Sequence, residues 1–179
     1  MLKITALTIL VLASIVGHTN ACSSCPMSWM SLGHTCVKLF HESKLTFDEA
    51  ENACNTYKVN DCDGTALSTG HLVSIQSQDE QDVLVELVQT TLSAEVGSGW
   101  DPQVYIGMSV GSTNSQQTWT DGSDVGFTSW YPGEPNNGPN SRGAIAAGSF
   151  SKGNWADVYS NNRFAYICEL PCLEYEVSQ

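Results

Sequence analysis

Seven cysteines, at positions 22, 25, 36, 54, 62, 168 and 172, constrain this 179-residue chain more than any other feature. What they mean depends on the compartment, and the N-terminus indicates one. Lys3 gives a positive start, Ile9 to Val16 form an apolar run, and Thr19-Asn20-Ala21 closes it with small residues at the spacing of a secretory cleavage site. The run is too short to span a bilayer, and no later segment is a candidate membrane span. Residues 1–21 are therefore read as a signal peptide, 22–172 as one domain and 173–179 as a short tail, in a protein that is secreted and extracellular. In an oxidising compartment disulfides are the default fate of cysteine. Seven is odd, so at least one thiol stays free or joins a second chain, which leaves a disulfide-linked homodimer open. Cys22-Ser-Ser-Cys25 has the spacing of half a zinc ribbon, but no second CxxC or HxxxH follows.

Cross-links matter here because half of the chain has little else to hold it. The first half carries two helical patterns. Thr46 and Glu49 make a capping box, and Phe47, Ala50, Ala53, Cys54 and Tyr57 recur at helical spacing behind it. Ser77 and Glu80 open a second helix, "SQDEQDVLVELVQTTL", whose buried stripe is predicted at Val83, Leu84, Leu87, Val88 and Leu92. Pro26 to His41 reads as two short strands around a turn at Gly33, "VNDCDGTALSTG" as a polar loop, and "HLVSI" as a short buried strand. From Gly97 onward Gly, Ser, Asn, Asp and Pro dominate, broken by short aromatic or β-branched runs, the texture of loops and short strands. Helices first and strands later is an α+β pattern. Loops bury little apolar surface against their ordering entropy, so disulfides or bound ions are expected to hold this half.

The formal charge is −12, from 7 basic and 19 acidic residues. Such a surface repels phosphate backbones, so nucleic acid is not an expected partner; cations and cationic surfaces, mineral included, are compatible. Two short stretches offer oxygen ligands for a cation. Glu134-Pro135-Asn136 places a carboxylate and an amide on either side of a proline, where a cis peptide would aim both side chains at one point. Asn154-Trp155-Ala156-Asp157 adds a third oxygen beside an aromatic. Calcium takes 6–8 oxygens, and two adjacent sugar hydroxyls can supply two of them. His34, His41 and His71 are scattered without metal spacing, and no nucleophile, base and orienting acid converge, so the chain is not read as an enzyme. Trp119, Trp130 and Trp155 are read as core under the loops.

The order of the remaining pieces carries a resemblance. "CPMSWMSLGHTC", "FDEAENAC", "HLVSIQSQDE", "YIGM", "WTDGS", "FTSWYPGEPN", "NWADV" and "FAYICEL" follow one another as in the C-type lectin domain family, from about Cys25 to Leu170. The resemblance implies an α+β C-type lectin fold with two helices, two small antiparallel sheets and a long loop region. It also implies calcium-dependent binding of carbohydrate. The Glu-Pro-Asn form resembles the mannose, glucose and fucose type, with Glu134, Asn136 and Asp157 as both metal and sugar ligands. It further implies that Cys25 pairs with Cys36 and Cys54 with Cys168; Cys22, Cys62 and Cys172 fall outside the scheme, with a Cys22–Cys172 bridge open.

The departures are as informative. Of the five side chains in the family's calcium site, counting along the loop puts Arg142 where a second glutamate belongs and Ala156 where an asparagine belongs. A guanidinium about 6 Å from a divalent ion costs roughly 1–3 kcal/mol at an intermediate dielectric. Arg142 could instead pair with Glu134, and a shift in register could bring Asn137, Asn140 or Ser141 into the site. A second, auxiliary calcium site is not expected, because Asn137 and Gly143 stand at its positions. Ala144 and Ser160 replace a further disulfide, a loss of about 2–4 kcal/mol of constraint that predicts a looser stretch from Glu134 to Asp157. Two functions follow: a calcium-dependent lectin, or a metal-independent module of the same fold binding a protein, mineral or matrix surface.

Overall fold

The computed structural model describes residues 25–60, 66–97 and 99–172. The segment 1–21 read as a signal peptide, the segment 173–179 read as a tail, Cys22 and Cys62 lie outside them. In chain order the elements are β1 (Met30–Leu32), β2 (Thr35–Leu45), α1 (Phe47–Cys54), β3 (Lys58–Asn60), β4 (Ala66–Thr69) and β5 (His71–Leu72), then α2 (Gln78–Thr91), β6 (Gln103–Val110), β7 (Gln117–Trp119), β8 (Ser141–Ala146), β9 (Trp155–Tyr159) and β10 (Phe164–Pro171). Among the described residues no helix is long and apolar enough to cross a membrane.

Both helices begin where local chemistry puts them. The Thr46–Glu49 capping box is formed at α1, and the Ser77 hydroxyl accepts the Glu80 backbone N–H at α2. Their buried faces are set by what they meet. In α2, Leu84, Val88 and Leu92 are buried as expected, but Val83 is 39% exposed and Gln81 only 3%. Gln81 is drawn in by polar partners: its side-chain N–H donates to the Gly153 carbonyl and its oxygen accepts from the Trp155 indole, both at 2.7 Å. "VNDCDGTALSTG" is not all loop, since β3 and β4 pair within it as a two-stranded sheet. "HLVSI" is extended only at His71–Leu72, although Val73 and Ile75 are fully buried.

The remaining strands form one sheet of eight, in the order β1-β2-β10-β6-β8-β9, with β5 on β10 and β7 on β6. Its antiparallel halves are fused by a parallel pairing of β10 with β6 at Ala165–Val104 and Tyr166–Tyr105. Trp119, Trp155, Ile106, Met108 and Ile145 pack with α2 on one side, while Phe47, Ala50, Tyr105, Ala144, Val158 and Tyr166 pack with α1. Disulfides join Cys25 to Cys36 and, across 114 residues of sequence, Cys54 to Cys168. Cys172 is also disulfide-bonded, to a partner outside the described residues.

Where the family's further bridge is missing, a hydroxyl does part of the work. Tyr105 is fully buried, and its O–H lies 3.1 Å from the Tyr159 carbonyl and 3.0 Å from that of Asn162. Burial pushes its phenol pKa up, so it stays a neutral donor. The same turn is held to α1 by the Phe47 N–H, which donates to the Ser160 carbonyl at 3.1 Å. The turn after β9 is therefore tied at three carbonyls.

Candidate functional site

Trp155 anchors the site from below. Its ring is fully buried, and its backbone pairs with the segment 129–131: its N–H donates to Ser129 at 2.7 Å and its carbonyl accepts from Tyr131 at 2.8 Å. Tyr131 in turn accepts the Glu134 N–H at 2.9 Å, closing a turn with Gly133 at φ +97, a left-handed conformation that suits glycine. The Glu134–Pro135 peptide is cis. The Asn114 side chain donates to the Pro135 carbonyl at 2.7 Å and pins the turn from the neighbouring loop.

Glu134, Asn136 and Asp157 come together at this turn. The Asn136 amide donates to a Glu134 oxygen at 2.9 Å, and its backbone N–H donates to Asp157 Oδ1 at 2.7 Å. Asp157 also accepts the Asn137 N–H at 2.9 Å and the Ser141 hydroxyl at 2.6 Å, both on Oδ2, while the Asn137 side chain donates to its carbonyl. Burial and the adjacent Asp157 carboxylate push Glu134 up to about 7. Burial opposes the charge on Asp157 too, but the Glu134 carboxyl, the Ser141 hydroxyl and the two backbone N–H groups outweigh it and hold its pKa low.

One atom of this group is left without a partner. Glu134 Oε2 is buried and accepts no hydrogen bond from a described residue. A buried carboxylate oxygen with no donor is costly in isolation and is the kind of atom a cation satisfies. The donor set of two carboxylates, an amide and nearby carbonyls is the hard-oxygen chemistry that calcium takes. Among the described residues no three acidic, histidine or cysteine side chains converge anywhere, so such an ion would rely on amide, carbonyl and solvent oxygens for the rest.

Arg142 does not sit on the acids. Side chains alternate across a strand, so Arg142 and Ala144 share one face of β8 while Ser141 and Gly143 share the other. The Arg142 guanidinium lies 4.8 Å from the centre of the Phe47 ring and donates to the Asn140 and Ser141 carbonyls at 3.1 Å each. Among the described residues no carboxylate pairs with it, so the expected alternatives of a cation at the ion's place or an ion pair with Glu134 both give way to stacking on α1. Gly143 faces Asp157 in the β8–β9 register, and a Cβ there would meet that of Met108 at 2.6 Å. The Met108 side chain thus crowds an acidic side chain out of a position that the auxiliary site would need.

Ser141 and Asn137, two of the residues that a register shift was expected to bring in, reach the site as donors to Asp157, while Asn114 and Gln81 support it and carry no signal in the sequence beyond being ordinary polar residues. Trp100, unassigned from sequence, forms an aromatic cluster with Tyr131 and Phe150, with ring centres 4.9–5.2 Å apart. Phe150 is half exposed. Trp119 and Trp155 are core, as expected.

This fold, with a carboxylate–amide turn beside a buried tryptophan strand, defines a sugar-binding class of module. The lectin C-type domain matches residues 43–170, and the chain belongs to that family, a non-catalytic carbohydrate-binding class. It is 32% identical over 151 residues to echinoidin of Heliocidaris crassispina, covering 84% of this chain and 99% of that one. It is 29% identical over 166 residues to an α-N-acetylgalactosamine-specific lectin of Patiria pectinifera, covering 87% and 91% respectively. The crystal structure of CEL-IV superposes with a TM-score of 0.82 at 59% identity, over 87% of this chain and 99% of that chain.

Proposed function

We propose that this protein is a secreted, calcium-dependent carbohydrate-binding lectin whose site is Glu134, Asn136 and Asp157. The observation that carries the reading is the buried Glu134 Oε2, which accepts no hydrogen bond from a described residue. A bound calcium ion would supply coordination of two adjacent sugar hydroxyls. Glu134 accepts a hydrogen bond from one hydroxyl, and the Asn136 amide donates to the other. Ser141 and the backbone N–H groups of Asn136 and Asn137 keep Asp157 ionised and in place. The Glu-Pro-Asn triplet supports equatorial vicinal hydroxyls of the mannose and glucose type.

The second reading is a metal-independent module binding a protein, mineral or matrix surface. Ala156 and the absence of a third converging acid among the described residues favour it. The charge of −12 suits a cationic partner.

One experiment separates the two. The protein is passed over immobilised mannose and immobilised galactose with calcium, then with chelator. Retention that vanishes with chelator, and is lost in Glu134→Gln, supports the lectin. No retention on either matrix, with no calcium-dependent rise in Tm, refutes it. The galactose column is included because one relative is named for N-acetylgalactosamine.

A further inference from the structure

We propose that Ser141 is the positioning residue of the calcium site: its hydroxyl fixes the orientation of the Asp157 carboxylate and leaves one acceptor position on Oδ1 for the ion. The inference rests on the calcium-dependent reading and goes one residue beyond it.

An ionised carboxylate offers about four acceptor positions. Three on Asp157 are filled, by the Asn136 N–H at 2.7 Å, the Asn137 N–H at 2.9 Å and the Ser141 O–H at 2.6 Å. The fourth, on Oδ1, takes no donor among the described residues; Asn136, whose N–H reaches Oδ1, also donates its side-chain amide to Glu134 at 2.9 Å, so one residue bridges the two acids. The orientation of the carboxylate is therefore set by three donors, and only one of them is a side chain.

That side chain has no substitute in the strand. Arg142 points to the face of α1, and Gly143, opposite Asp157, has no side chain and no room for one. Ser141 and Asp157 are each 2% exposed, so water does not replace a lost hydroxyl freely. The Gly138 carbonyl lies 3.0 Å from the same hydroxyl. Its single proton goes to the nearer acceptor, which is also the charged one, because charge-assisted bonds are shorter and stronger. Without that proton, Oδ2 keeps only the Asn137 N–H, and the carboxylate is free to turn about χ2.

The test compares the wild type, Ser141→Ala and Ser141→Thr by calorimetric calcium titration and by terbium luminescence, without sugar. Groups that orient a metal ligand are worth about ten- to a hundredfold in metal affinity. Ser141→Ala is expected to lose about that much, and Ser141→Thr, which keeps the hydroxyl, to recover most of it. Thermal unfolding in chelator is read alongside; a purely structural role would lower the metal-free Tm and leave calcium affinity unchanged. Wild-type affinity in Ser141→Ala overturns the inference and leaves the lectin reading standing, as does a threonine variant that folds but binds as weakly as alanine. A wild-type protein that takes up no calcium sinks the lectin reading, and this inference with it.

Discussion

Tyr105→Phe removes one oxygen and leaves a ring of nearly the same shape in the same fully buried place. That oxygen donates into a pair of carbonyls, Tyr159 at 3.1 Å and Asn162 at 3.0 Å, on the turn that follows β9. The family's missing bridge would have tied this same turn at Ser160. One hydroxyl proton shared between two carbonyls counts as a single hydrogen bond, worth about 0.5–1.5 kcal/mol net. Leaving two carbonyls short of a donor adds to that, so a loss of about 1–2 kcal/mol is expected. For a domain of this size that corresponds to a fall in Tm of roughly 3–8 °C. Because the turn fixes the end of the strand carrying Asp157, calcium affinity should fall as well. Thermal unfolding by near-ultraviolet circular dichroism, in chelator and in calcium, reads both effects. A Tm within about 1 °C of wild type would mean that the hydroxyl does not hold the turn. The backbone bond from Phe47 to Ser160 would then be the tie that matters.

Two further predictions concern buried polar groups. Glu169 is 5% exposed, and burial, then the Asp121 carboxylate, push its pKa well above the usual 4.5. A raised folded-state pKa means that the native state keeps a proton the unfolded chain has released. The stability this gives is full below about pH 4.5 and is lost as pH rises through the folded value. Tm measured from pH 4 to 9 should therefore decline on this account, and Glu169→Gln should flatten the decline and raise Tm at the alkaline end. Gln81→Leu strips partners from the Trp155 indole and the Gly153 carbonyl, so about 2–4 kcal/mol should be lost in urea unfolding.

How far the sequence could be read depended on the distance over which each feature is decided. Thr46 with Glu49 and Ser77 with Glu80 could be recognised because a helix cap is settled within three residues. The order of motifs carried the family, and Glu134, Asn136 and Asp157 were visible as oxygen ligands of the right type. The strands β3 and β4 were not visible, since their polar residues satisfy each other only through a pairing that composition does not announce. Val83 was misplaced, and the burial of Gln81 not foreseen, because helical spacing defines a face without saying what it will meet, and here it meets an indole N–H.

By itself, the sequence determined two capped helices, a strand-and-loop second half, an α+β lectin fold and the residue types available to hold an ion. Tertiary structure alone decided which of them meet. Counting along the loop put Arg142 into the site. Strand alternation turned it onto Phe47 instead, and brought Ser141 to Asp157 at 2.6 Å. The physical reason is that a hydrogen-bonded register between β8 and β9 chooses the face of every side chain at once, and that register is fixed by contacts far apart in the chain.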